Sequence, residues 1–413
     1  MTDPARLVGD AIVLHGLASA HGHAFQRALR GRTHTRRAAH GGSESFWSWR
    51  ERMYALASRL DPDSLYALAR LAYAEMALAG YTLLGEFHYL HHGPDGTPYR
   101  DRVVMADALI RAARDVGLRI GLLRTLYARD GPGRPPTGVQ RRFCDPSLDE
   151  ALADVETLRA RWRGDPCVRI GIAPHSVRAV PRAWIEQAAS FARSQRLPVH
   201  AHVSEQPREV LECVAEHGRR PVELLDETGA LEAGLVAVHA IHLSEAEIAL
   251  LGSRRTIVCV CRTTERDLGD GSPPVGPLRA AGSRVCVGAD SHAIVDPFEE
   301  ARAVELDERT RTGTRCAAAD GSDLLEALGP TGYEALGFDG AHAHDSVELD
   351  GNDPSIAPCT DADLADRVVF GAGARAVRAV RIAGREIVRD GCFEEWHDVV
   401  REARRHLTRL FEA

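Results

Sequence analysis

The chain has 413 residues, of which 44% are hydrophobic, and its 51 basic and 59 acidic residues leave a formal net charge of -8. That is enough apolar material for a sizeable globular core, and charges of both signs are interspersed, so no basic stripe points to nucleic acid. Every basic residue is arginine, and without lysine there can be no Schiff base, no P-loop lysine and no carboxylated lysine bridging two metals, so any metal centre is expected to be mononuclear, or bridged by carboxylates alone.

The start, Met1-Thr2-Asp3-Pro4-Ala5-Arg6, leads into neither a secretory apolar region nor a stretch of membrane-spanning length, so a soluble, cytoplasmic protein is expected. The nine cysteines form no CxxC pair and several sit in apolar runs. They read as reduced core residues.

In chain order, short β-rich runs at 17–20, 81–86, 119–124, 168–173, 197–203, 235–239, 256–260 and 284–288 alternate with segments of helical period at 62–78, 104–116, 148–162, 184–193 and 298–308. Eight such units over roughly 290 residues predict a (β/α)8 barrel of the α/β class rather than an open sheet. The barrel is expected over 12–310. Residues 311–344, rich in glycine, alanine and acidic side chains, read as a loose connection with one short helical piece at 323–328. Strands are expected at 346–349, 368–370, 376–382 and 386–388, forming a small module over 345–394, and a terminal helix over 395–413.

His21-Gly22-His23 closes the first strand, where a spacing of two puts both imidazoles on one side of the backbone. Later strands end in His202, His239 and Asp290. In a barrel of this kind the strand C-termini carry the chemistry, and three imidazoles with a carboxylate suit a divalent zinc, which lowers the pKa of a bound water to roughly 7. His200 rivals His202, because both point the same way; His202 is preferred as nearer the strand end and three residues before Glu205. Glu205 is placed to move a proton to a leaving nitrogen, although a surface carboxylate at a helix start reads equally simply. His239 is either a satisfied core histidine or a group that polarises the bond under attack.

Taken together, these segments resemble the amidohydrolase superfamily and, within it, the formimidoylglutamate deiminase family. The resemblance is carried by His21-Gly-His-Ala-Phe-Gln-Arg27, Phe46-Trp-Ser-Trp-Arg-Glu51, Gly85-Glu-Phe-His-Tyr-Leu-His-His92 and His175-Ser-Val-Arg-Ala-Val180. It continues through His200-Ala-His-Val-Ser-Glu-Gln206, Leu268-Gly-Asp-Gly271, Gly288-Ala-Asp-Ser-His292 and Leu349-Asp-Gly-Asn-Asp-Pro354. It implies one zinc ion on His21, His23, His202 and Asp290, with Glu205 as proton shuttle and His239 beside the hydrolytic water. It also implies that Gln26, Arg50, Tyr89, His175 and Arg178 hold the substrate. Arginine forks suit a dicarboxylate, independently of the resemblance. The implied reaction turns N-formimino-L-glutamate and water into N-formyl-L-glutamate and ammonia, a step of histidine catabolism, with Asp290 taking the water proton. Another formimino or amidine substrate, or a non-catalytic binding role, are the alternatives.

Two departures stand out. The family carries β-strands ahead of its first histidine pair, and none is read here before residue 17, so the C-terminal strands are expected to lack partners and a homodimer becomes plausible. Arg262 falls at a strand-seven position that is normally apolar, near the mouth of the site.

Overall fold

The computed structural model describes residues 5–34 and 45–412. Residues 1–4 of the N-terminal reading and Ala413 of the expected terminal helix lie outside the described residues.

The described chain opens with a hairpin, β1 (Ala5–Val8) and β2 (Ala11–His15), turned at Gly9-Asp10, where Gly9 has φ +61°. A two-residue hairpin turn needs a positive φ, which glycine adopts without strain. Eight parallel strands follow in sequential order around a barrel: β3 (Leu17–Ser19), β4 (Tyr81–His88), β5 (Arg119–Leu126), β6 (Val168–Pro174), β7 (Val199–Val203), β8 (Leu235–His239), β9 (Ile257–Val260) and β10 (Arg284–Val287). β4 and β5 are buried at every position, as strands covered on both faces should be. The barrel closes between its first and last strands by backbone bonds from Ala20 N–H to the Val287 carbonyl (2.8 Å), Asp290 N–H to His21 (3.1 Å) and His23 N–H to Asp290 (2.9 Å).

Helices return the chain between strands. Pro62–Ala79 shows why they form where they do: Asp61 caps the first turn by accepting from Ser64 N–H at 2.8 Å, proline occupies the first turn, and Gly80 ends the helix in the left-handed conformation. None of the helices among the described residues is long and apolar enough to cross a membrane.

The second sheet corrects the expectation of unpartnered C-terminal strands. β11 (Ser346–Asp350), β12 (Val377–Ile382) and β13 (Arg385–Val388) continue the N-terminal hairpin in an antiparallel sheet ordered β1-β2-β11-β12-β13. Ala5, Leu14, Val347, Val380 and Val388 line up across all five strands as one buried row. Alternate residues of two very short strands thus suffice to specify the pairing, and β2 belongs to this sheet rather than to the barrel. Residues 368–370 are not a strand: they lie in the helix Leu364–Gly371, which buries Leu364, Val368 and Val369 at helical spacing.

Residues 311–344 are not a loose connection either. They contain the helices Gly321–Leu328 and Pro330–Ala335, and Leu336 plugs the barrel floor, where glycines leave room for it. A Cβ at Gly85 or at Gly121 would come within 2.9 Å of Leu336 Cδ2. Beneath the plug, Asp345 accepts from Arg119 Nε (2.6 Å) and Nη2 (2.9 Å), from Tyr333 OH (2.6 Å) and from Ala383 N–H (2.9 Å), joining barrel, plug and small sheet. The last helix, Trp396–Glu412, packs on Pro62–Ala79. All nine cysteines are free; Cys167, Cys213, Cys259, Cys261 and Cys286 are buried as expected, whereas Cys316 and Cys392 are exposed.

Candidate active site

The four expected ligands meet at the strand C-termini, at the seam that closes the barrel. His21 Nε2 and His23 Nε2 lie 3.5 and 3.4 Å from Asp290 Oδ1, and His202 Nε2 lies 3.3 Å from His21 Nε2. Ligands at 2.0–2.2 Å around a tetrahedral ion stand about 3.3–3.5 Å apart, which is the spacing of these three pairs. The donors form two groups that share His21, namely His21 with His23 and Asp290, and His21 with His202 and His239, each within 4.8 Å. The outer nitrogens of two of the three imidazoles are tied down in the way a metal site requires, while His21 Nδ1 is buried without a partner. His23 Nδ1 donates to the Phe87 carbonyl at 2.8 Å and His202 Nδ1 to the His175 carbonyl at 3.0 Å. A carbonyl only accepts, so each ring carries its proton on Nδ1 and turns an Nε2 lone pair inward.

Electrostatics point the same way. Burial, then the neighbouring histidines, hold His21 and His202 well below the usual imidazole range, and burial lowers His23 against the opposing pull of Asp290. The imidazoles are therefore neutral, the form that binds a cation. His200 points into the barrel one layer deeper, where its Nε2 bonds the Ala335 carbonyl of the plug at 2.8 Å. That contact engages His200 with the plug, whereas His202 stands beside His21 at the rim.

The strand ends are sharply turned. Ser204, His239 and Asp290 all adopt positive φ (+52°, +70° and +44°) although none is glycine, and such conformations, about 1–3 kcal/mol each, collect at functional sites. His239 Nε2 lies 3.8 Å from Glu205 Oε1, and His239 Nδ1 lies 3.1 Å from Glu265 Oε1. Burial pushes the Glu205 carboxyl up to about 8, partly offset by His239. Burial lowers His239, but Glu205, Glu265 and Asp290 outweigh it and raise the ring to about 10.

From this centre a cleft opens to solvent, with Gln26, Arg50, Tyr89, His175 and Arg178 on its walls beside His23, His202, Glu205, His239 and Asp290. Gln26 Nε2 donates to Tyr89 OH at 2.9 Å, while Gln26 Oε1 is buried with no partner. An unpaired buried acceptor costs about 1–3 kcal/mol, and this one stands on the cleft wall. The helix Phe46–Ala57 carries Arg50, whose guanidinium stands over the Trp47 ring at 4.7 Å and lies 3.9 Å from Asp130. Arg178 Nη1 donates to the Asp130 carbonyl at 2.6 Å. The two arginines thus share one anchor.

Sequence reading missed that anchor, Asp130, as well as Tyr54 and Tyr127 on the cleft wall and Glu265 behind His239. Asp130-Gly-Pro is a turn signal and no more, and Glu265 looks like any acid on a short helix. Arg262 does not stand at the mouth of the site. It opens the helix Arg262–Leu268 and is buried against Glu265 and Asp307, because a carboxylate on each side neutralises it there.

A (β/α)8 barrel with a His-x-His, His, Asp constellation at its rim defines a class, and the chain belongs to the amidohydrolase family, whose pattern it matches over residues 12–339. It is a hydrolase acting on C–N bonds, in a family that generally uses a divalent metal. The chain is 38% identical over 403 residues to the formimidoylglutamate deiminase of Pseudomonas aeruginosa, covering 94% of this chain and 87% of that protein. In three dimensions it resembles an amidohydrolase from Brucella melitensis (TM-score 0.89, 31% identity, 98% of this chain and 95% of that one). It also resembles a zinc-bound adenosine deaminase from Xanthomonas campestris (TM-score 0.80, 25% identity, 98% and 87%).

Proposed function

We propose that this enzyme hydrolyses the formimino group of N-formimino-L-glutamate, giving N-formyl-L-glutamate and ammonia. The observation that carries the reading is the pair Arg50 and Arg178, both on the wall of a cleft whose inner end holds the metal ligands, Glu205 and His239. Two guanidinium groups favour a substrate with two carboxylates over an uncharged nucleoside. The likeness to a formimidoylglutamate deiminase agrees with this.

A single divalent ion, zinc in this reading, would be held by His21, His23, His202 and Asp290 and, when bound, would supply Lewis acidity and an activated water. Asp290 accepts the proton that the water gives up as it adds to the formimino carbon. Glu205, whose carboxyl burial raises toward neutral pH, gives its proton to the imino nitrogen, then takes the proton of the carbon-bound hydroxyl and passes it to the same nitrogen. The carbonyl forms, the carbon–nitrogen bond breaks and ammonia leaves; the proton on Asp290 returns to Glu205. His239 Nε2 faces the same space and hydrogen-bonds the developing oxygen. Gln26 and Tyr89 hold the substrate body, with His175 beside them, and the arginines hold its carboxylates. A cytoplasmic enzyme acting in histidine breakdown completes the reading; the pairing of β2 with β11 removes the unpartnered edge behind the expected homodimer.

The test is ammonia release from a panel of formimino amino acids and neutral amidines, with metal content measured on the same samples. We expect turnover of the glutamate derivative, and in Glu205→Gln a fall in kcat of about 10²–10⁴ with metal retained. Equal rates for Glu205→Gln and parent would overturn the proton route, and a preference for neutral amidines would overturn the substrate.

A further inference from the structure

We propose that Glu265, anchored by Arg262 and Asp307, is a positioning residue for His239: it keeps a proton on Nδ1, so that the ring exchanges protons with the reacting centre only through Nε2. The inference rests on the deaminase reading for what His239 does, but its geometry stands apart from the substrate. His239 ends β8 in the left-handed conformation, and its Nδ1 lies 3.1 Å from Glu265 Oε1. The same oxygen accepts Cys261 N–H at 3.0 Å, while Oε2 is met by Arg262 Nη1. The Arg262 fork is itself held by Asp307, through Nε at 2.8 Å and Nη2 at 2.6 Å, and Nη1 also reaches the Gly271 carbonyl at 3.2 Å. Glu265 and His239 are both buried.

Two of the neighbours around this carboxylate, Cys261 N–H and the Arg262 guanidinium, can only donate. An acceptor-only group is therefore needed on both of its edges, and the atom of His239 that faces it must carry hydrogen in either charge state of the ring. A carboxylate behind a working imidazole fixes its tautomer and plane, and disturbing such a pair lowers metal-site activity by 10–100-fold and triad activity by about 10⁴. Arg262 acquires a purpose here: a buried guanidinium is expensive unless paired, and this one braces the carboxylate from behind without lining the cleft.

Glutamine is the discriminating replacement. It has the shape of glutamate but one donor edge, which must face either Arg262 or the pair formed by Cys261 N–H and His239. The conflict with His239 is relieved only by moving its proton to Nε2. In the zinc-loaded enzyme we expect Glu265→Gln to lower kcat at least 10-fold, leave KM within about threefold and retain its metal. In ¹⁵N-histidine NMR, the His239 Nδ1 should be protonated in the parent and lose that proton in the neutral ring of the variant. Glu265→Asp, which keeps an acceptor-only carboxylate, should retain the Nδ1 proton and recover part of the rate. An unprotonated Nδ1 in the parent overturns the proposal whether or not any variant folds. So does a Glu265→Gln enzyme with parental kcat, or one whose loss of rate follows loss of metal. Should the parent fail to release ammonia from any formimino compound, the substrate reading fails while the Nδ1 measurement still decides this one.

Discussion

Replacing Asp345 with alanine should unfasten the small sheet from the barrel. Asp345 is 2% exposed and Arg119 is 4% exposed, so the substitution leaves a buried guanidinium with no counter-charge. Its remaining partners are the Pro166 carbonyl at 3.2 Å and the Cys167 thiol at 3.7 Å. Breaking a buried pair in this way costs about 3–5 kcal/mol. The Ala383 N–H loses its acceptor for about 1 kcal/mol more, whereas Tyr333 OH keeps Thr82 Oγ1 at 2.6 Å and adds little. A loss of about 4–6 kcal/mol is a large share of a typical 5–15 kcal/mol. With an unfolding entropy of roughly 2 cal/mol/K per residue, it lowers Tm by roughly 5–7 °C in a chain of this size. Scanning calorimetry with urea titration measures both quantities. The paired change Arg119→Met with Asp345→Leu should recover most of the loss, because apolar side chains of similar size replace a buried ion pair almost neutrally. If Asp345→Ala melts within 1 °C of the parent, or the paired change is no better than the single one, the account of this junction is wrong.

Arg50→Met and Arg178→Met should each raise KM for N-formimino-L-glutamate by about 10–100-fold with kcat little changed, since each removes charge-assisted hydrogen bonds of about 1.5–3 kcal/mol; steady-state kinetics would refute this if kcat fell while KM held. Chelation should abolish ammonia release and lower Tm, and added zinc should restore both, because an ion bound only by the folded state stabilises it by mass action; unchanged activity after verified removal of metal would sink the metal site. Burial pushes Glu300 up to about 8 from an ordinary 4.5, against the hydrogen bonds from Thr263. The folded protein therefore holds a proton there that the unfolded chain releases above about 4.5, and this stability is lost as pH rises toward 8. The Tm of Glu300→Gln relative to the parent should accordingly climb between pH 5 and 8 and level off beyond, and a difference flat across that range would contradict the assignment.

What the sequence disclosed follows from how local each signal is. His21-Gly-His23 declares its geometry within three residues, and strands such as 81–86 and 119–124 announce themselves by apolar centres, Leu83-Leu84 and Ile120-Gly-Leu-Leu123, because they are covered on both faces. The hairpin at Ala5–His15 stayed hidden because its strands are only four and five residues long, and the strands that continue its sheet lie more than three hundred residues away. Leu336 is unremarkable until Gly85 and Gly121 are seen to leave a hole for it. Val368-Val-Phe370 is β-branched and aromatic, a strand by propensity, yet tertiary packing against the helix Gly321–Leu328 makes it helical. Arg262 reads as a departure and Glu265 carries no signal of its own, and only the fold brings the two together behind His239.

The seam that closes the barrel joins its earliest strand to its latest. His21 and His23 leave the ribosome first among the ligands, and Asp290, whose backbone they bond, leaves only after seven further strands. No partial product of synthesis can therefore assemble the complete ligand set, and uptake of the ion has to wait until the ring is complete. Once bound, the ion would act as a clasp across one of the longest loops the chain can form, where the entropy of closure is greatest. Loss of metal should consequently be felt first as opening between Ala20 and Val287, and hydrogen exchange at the seam's donor amides, Ala20, His23 and Asp290, would report it before any change elsewhere in the barrel.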